Sequence, residues 1–383
     1  MYLTMIISDY IVPYKVMKYT FKHLIIIILL FITGNLKAQP IEVKVEENIE
    51  LMSILSRMAG FPEYSMDLAG QYILDMDSYF EAHRSHPMVM YMKKLREKHG
   101  VSYDAVMDMA IRLEQKDGKF QLIQEEKDNL MDERWNKVNK EEFLTRLNGF
   151  YQDTDFHTFF TNHAPLYQQG IQAYKDKVMA GLNHEWYSKF YGKEAKEKFG
   201  VIIGFCNGGG NYGIDLHPSG QTKEVYAIVG YYVDKANIPQ YNADYLPTLI
   251  HEFNHSFINY LLDIEENRQA MEDTGKALMS TCRWAMSKQA YSNWVTVINE
   301  SLVRASVICY MLDAKYDKGT IQAEMNEQLQ RNFRWMPELV QKLRAYENNR
   351  TIYPTFDSYY PQIIQFFKDY VAKEQKETDV VNY

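Results

Sequence analysis

The stretch GVIIGFCNGGGNYGIDL (residues 200–216) is where the chain changes character. Before it, from about residue 45, apolar residues recur at helical spacing, as in Ile49, Met52, Ile54, Leu55 and then Tyr72, Ile73, Met76, Tyr79, Phe80. Segments 104–115 and 141–150 continue that pattern, with Asp117-Gly118 and 162–165 as breaks. Within the quoted stretch, two β-rich runs flank Gly208, Gly209 and Gly210, which reads as two strands and a glycine turn. A third run, 224–233, is β-branched and aromatic enough to pair with them. Helical spacing then returns over 244–262, 266–287, 291–312, 321–348 and 361–373. The expectation is an α+β fold, mostly helical, with a small antiparallel sheet preceding helix 244–262. Residues 39–199 form a helical N-terminal subregion, 200–383 carry the chemistry, and the two make one folded unit.

Charge and composition exclude some classes of partner. The 383 residues hold 42 Lys and Arg against 50 Asp and Glu, a net charge of -8, and no stretch gathers the basic residues a phosphate backbone needs. Nucleic acid is therefore not expected as a partner. Residues 1–38 read as an export signal: Lys18, Lys22 and His23 are basic, 24–32 is an apolar run, and Ala38 is the small residue a signal peptidase favours. Met17 offers a more ordinary signal start than Met1. Nine apolar residues fall well short of the roughly 20 that span a bilayer, so no stable membrane span is expected after cleavage, and the mature chain is read as periplasmic or secreted. Loss of four Lys and one Asp with the signal takes the net charge to -11. Cys206, Cys282 and Cys309 include no CxxC pair and indicate no disulfide framework.

Residues 249–257, LIHEFNHSF, place His251-Glu252-x-x-His255 inside a helix that Asn242 or Asp244 can cap. Positions i and i+4 share a helix face, so His251 and His255 can offer imidazole nitrogens to one Zn²⁺ at about 2.0–2.1 Å, with Glu252 beside them as a catalytic base. With ten His in the chain, chance yields such a pattern in roughly 2% of sequences of this composition.

A catalytic zinc needs a third protein ligand. The places where a metzincin carries Gly and His hold Ile258 and Leu261, which excludes that class. Glu272 and Asp273 lie at a short offset in a polar stretch, whereas Glu300 sits in the apolar run 295–308, where a carboxylate needs a compensating cation. Glu300 is the preferred ligand. Arg304, one turn later, can hold its carboxylate or reach substrate, and an ion pair between the two without metal is the alternative. His157, His163 and His184 read as structural.

Together, His251-Glu252-Phe253-Asn254-His255 and a later Asn299-Glu300 resemble the gluzincin metallopeptidases, across about 110 residues from Gly200 to Tyr310. They also look like an uncharacterised bacterial exported family with a His-Glu-Phe-x-His core. The resemblance implies one Zn²⁺ per chain held by His251, His255 and Glu300, a peptide or protein substrate, and Glu252 passing a proton from water to the leaving amine. Oxyanion donors are open among His217, Arg304, Tyr310, Tyr353 and Tyr359. Strand 224–233 could pair with an extended peptide through its edge. Hydrolysis of a non-peptide amide or ester, and a non-enzymatic zinc-stabilised binding protein, are the other readings.

Overall fold

The computed structural model describes residues 41–127, 131–289 and 291–381, and the expected signal, 1–38, lies outside them. The elements run β1 (Glu42–Lys44), α1 (Glu47–Met58), α2 (Gln71–Phe80), α3 (Pro87–His99), α4 (Asp104–Ile111), β2 (Leu113–Lys116), β3 (Lys119–Leu122), α5 (Lys140–Asp153), α6 (Phe156–Asn162), α7 (Ala164–Lys177) and α8 (Glu185–Tyr191). They continue with β4 (Lys198–Gly204), β5 (Tyr212–Leu216), β6 (Glu224–Gly230), α9 (Leu246–Ile258), α10 (Glu265–Ser287), α11 (Trp294–Asp313), α12 (Lys318–Gln330), α13 (Met336–Glu347) and α14 (Phe356–Val381). The α+β class is as expected, mostly helical with small sheets.

Strand pairing differs from the expectation. The main sheet has the order β1-β4-β6-β5, with β1 parallel to β4, β4 parallel to β6, and only β5 antiparallel to β6. It is a mixed sheet, and β6 stands between the two strands expected to flank the glycine turn. The reason lies in β4, whose residues from Gly200 to Gly204 are buried without alternation. Strands covered on both faces read as continuous apolar runs and belong at the centre of a parallel arrangement. The glycine segment packs instead of turning tightly: Gly208 takes φ +62°, and a Cβ there would collide with the backbone oxygen of Glu63.

Two helix boundaries also shift. The helix from Asp104 ends at Ile111, and the chain enters the β2–β3 hairpin across Asp117 (φ +52°) and Gly118 (φ +75°), a turn whose paired positive φ angles match the twist of the strands. The segment 321–348 breaks between α12 and α13, where Asn332 takes φ +75° and Pro337 starts the new helix.

Helix α9 rests on β6 on one side and α11 on the other. Leu249, Ile250, Phe253 and Phe257 are all buried and form its core stripe, each side chain stabilising the packed position by about 1.5–3 kcal/mol. Asn254, fully buried, accepts from the Tyr191 hydroxyl (2.9 Å) and donates to the Val303 carbonyl (3.3 Å), tying α9 to α8 and α11. By length and composition α11 could cross a membrane, but 72% of its apolar window is buried in the fold, as befits a core helix.

Candidate metal centre

With one face of α9 committed to the core, His251 and His255 emerge one turn apart on the other, their Nε2 atoms 3.3 Å from each other. From α11, Glu300 places Oε2 3.6 Å from His251 Nε2 and Oε1 3.6 Å from His255 Nε2. Ligands bound to one tetrahedral cation at about 2.0–2.1 Å lie roughly 3.3–3.4 Å apart along each edge. The nearest approaches within the triad come close to that spacing, the carboxylate meeting the two imidazoles through different oxygens. The His–Glu separations exceed the 2.7–3.2 Å range of good N–H···O hydrogen bonds. A carboxylate and two imidazoles thus converge, the imidazoles within hydrogen-bonding distance of each other and the carboxylate farther off, and His251, His255 and Glu300 could hold a metal ion.

The protonation states suit that role. Burial pushes the His251 imidazole down to about 3, leaving it neutral with a lone pair to give. Burial pushes Glu300 up, but His251, His255, Arg304 and Tyr291 together outweigh it and hold the carboxyl down to about 2. His255 Nδ1 faces Asn259 Oδ1 at 3.2 Å, so a proton on Nδ1 leaves Nε2 free toward the triad. Glu252 projects beside the triad, and burial raises its carboxyl to about 7, opposed by His255 and the Gly213 amide. A carboxylate near neutrality can both take and return a proton at physiological pH. Gly213 on β5 is required by that placement, since a Cβ there would lie 2.5 Å from Glu252 Oε2.

Glu252 and His251 open onto a cleft of about 760 Å³ whose walls include Asn211, Thr248, Arg304 and Tyr316. Of the five expected oxyanion donors, Arg304 alone lines it. Tyr310 spends its hydroxyl on the Gly181 carbonyl (3.1 Å) and the Asn183 amide (2.9 Å). Tyr359 donates to the Lys342 carbonyl (3.0 Å) and packs on Tyr353 at 4.9 Å. His217 follows β5, its carbonyl accepting from the Glu126 amide (2.9 Å). None of these four reaches the cleft lining. Glu272 pairs with Lys276 at the surface and Asp273 is exposed, so neither joins the histidines. Residues the sequence did not point to are Tyr291, which bonds Glu300 Oε2 at 3.0 Å, Asn259 and Gly213. Asn259, four residues after His255, carried a helical-spacing signal; Tyr291 and Gly213 carried none.

The strand expected to receive a peptide, β6, is internal. The edge strands are β1 and β5, and the outward groups of β5 are partly spent: the Gly213 amide on Glu252, and the Asp215 carbonyl on Arg112 at 3.3 Å. Residues 41–366 match a protein-family model described as a domain of unknown function (DUF4932). No curated protein and no solved structure is found to match the chain.

Proposed function

The chain belongs to the DUF4932 family, and we propose that it is an exported, zinc-dependent hydrolase of the gluzincin kind that cleaves peptide bonds. The observation that carries this reading is the convergence of His251, His255 and Glu300 with Glu252 beside them at the head of a cleft. Zinc held by those three residues supplies a Lewis acid for the scissile carbonyl and lowers the pKa of water. The remaining work belongs to the chain. Glu252 takes the proton of the attacking water and returns it to the leaving amine, its carboxylate aimed by the Gly213 amide. Arg304 anchors Glu300 and sets a positive charge in the cleft wall. The cleft, at about 760 Å³, has room for several substrate residues. An intact Glu252 argues against a purely structural zinc site, which has no use for a base there. The apolar leader in 1–38 supports a periplasmic or secreted location.

Zinc content of residues 39–383, measured on wild type, His255→Ala and Glu300→Ala, tests the site, and turnover of casein, a non-peptide amide and an ester on wild type and Glu252→Gln tests the chemistry. The expectation is about one zinc per chain, lost in both ligand variants, and casein turnover abolished by Glu252→Gln with zinc retained. A metal-free wild type refutes the proposal.

A further inference from the structure

The carboxylate of Glu300 is held unequally. Oε2 accepts from the Tyr291 hydroxyl at 3.0 Å and from Arg304 Nε at 3.0 Å, with Arg304 Nη2 in ion-pair contact at 2.9 Å. Among the described hydrogen bonds, none ends on Oε1. A carboxylate oxygen has two lone pairs, so these two hydrogen-bond donors fill Oε2. The donors are themselves oriented: Arg304 Nη2 bonds the Tyr291 hydroxyl at 2.7 Å, and Nη1 reaches Gln328 Oε1 on α12 at 3.1 Å. Arg304 shares α11 with Glu300, whereas Tyr291 lies in the segment between α10 and α11. The tyrosine therefore ties Glu300 directly to a segment outside α11, while Gln328 ties only its partner Arg304.

We infer that Tyr291 is a positioning residue which, with Arg304, occupies Oε2 of Glu300 and leaves Oε1 alone to bind the cation. The inference rests on the metal-centre reading above. A carboxylate limited to one oxygen keeps the cation at three protein donors and one open position, the arrangement of catalytic sites. Removing the hydroxyl returns a lone pair to Oε2, so the carboxylate can chelate through both oxygens or swing away. Either change loosens the geometry that groups behind the ligands impose, a loss usually about 10–100-fold in affinity.

The test is Tyr291→Phe, which keeps the ring and its contact with Phe333 at 6.4 Å. Three measurements are made on the metal-free full chain: zinc affinity by competition with a chromophoric chelator, the visible spectrum after cobalt(II) loading, and the melting temperature. Zinc binding is expected to weaken by about 10–100-fold. The cobalt absorption should fall as coordination moves from four toward five, with melting of the metal-free form little changed. Zinc affinity within about threefold of wild type and an unaltered cobalt spectrum overturn the positioning role alone, whatever the melting temperature does. A wild type that binds neither zinc nor cobalt overturns the metal-centre reading beneath it.

Discussion

Replacing Gly213 with alanine isolates the role of Glu252 without touching a metal ligand. A Cβ built at Gly213 lies 2.5 Å from Glu252 Oε2, against an ordinary contact of 3.4 Å or more, so the carboxylate must retreat by about 1 Å. The atom displaced is the end of a flexible side chain, and Gly213 has no positive φ to forbid a side chain. Stability should therefore change little: restricting the unfolded chain contributes about 0.4–1 kcal/mol, offset by roughly 1 kcal/mol from the weakened Gly213–Glu252 hydrogen bond. The rate should not be spared. A misplacement of 1 Å near a reacting centre costs on the order of 10²-fold, about 2.7 kcal/mol in barrier. Zinc content, melting temperature and kcat/KM on a fluorogenic casein are read on Gly213→Ala and wild type side by side. The expected result is unchanged zinc, unchanged melting and turnover down about 100-fold. Turnover within about threefold of wild type, at equal zinc, refutes the reasoning, because the position of the Glu252 carboxylate would then not set the rate.

Two further predictions concern the scaffold. Glu50 is fully buried, its oxygens accepting from the Phe205 amide and the Tyr72 hydroxyl at 2.6 Å each, and burial raises its carboxyl from 4.5 to about 7. Between those values the unfolded chain releases a proton that the folded chain keeps, so folding stability falls as pH rises through this window, by on the order of 3 kcal/mol in all. Glu50→Gln cannot titrate and should gain on wild type from pH 4.5 to about 7, then level off; a gap independent of pH in urea melts at pH 5 and 8 overturns this. On α10, a Cβ at Gly275 would collide with the Trp294 ring at the start of α11. Although alanine favours a helix interior, Gly275→Ala should destabilise by about 1–3 kcal/mol in the same melts, and a raised midpoint would show that the ring yields freely.

What the sequence makes legible here is whatever is local. His251, Glu252 and His255 share one helix, so spacing alone sets their faces. Glu300 is legible for a related reason, as a lone carboxylate in an apolar run demands a compensating cation wherever the rest of the fold lies. Partners from elsewhere in the chain leave no such mark. Tyr291 resembles the other 29 tyrosines until its hydroxyl is seen on Glu300 Oε2, and Tyr310, Tyr353 and Tyr359, equally plausible by type, are occupied in packing. Strand pairing is hidden in the same way. The unbroken burial of β4 is written in Val201-Ile202-Ile203, but the interposition of β6 is a long-range choice that no single segment encodes. The β2–β3 hairpin is the opposite case, since Asp117-Gly118 is a local hairpin signal that an overlong helical reading obscures.

Asn254 links the local part to the distant one. In a His-Glu-x-x-His pattern it occupies a position free to vary, yet it is fully buried and bonded to Tyr191 and to the Val303 carbonyl. Val303 lies about one turn beyond Glu300 on α11, and Asn254 about one turn beyond His251 on α9. The hydrogen bond across the two helices thus sits one rung from the triad and sets the separation at which imidazoles and carboxylate meet. The residue types of the candidate site come from the motif, but the 3.6 Å approach that would let them share one cation comes from how α9 is fastened to α11.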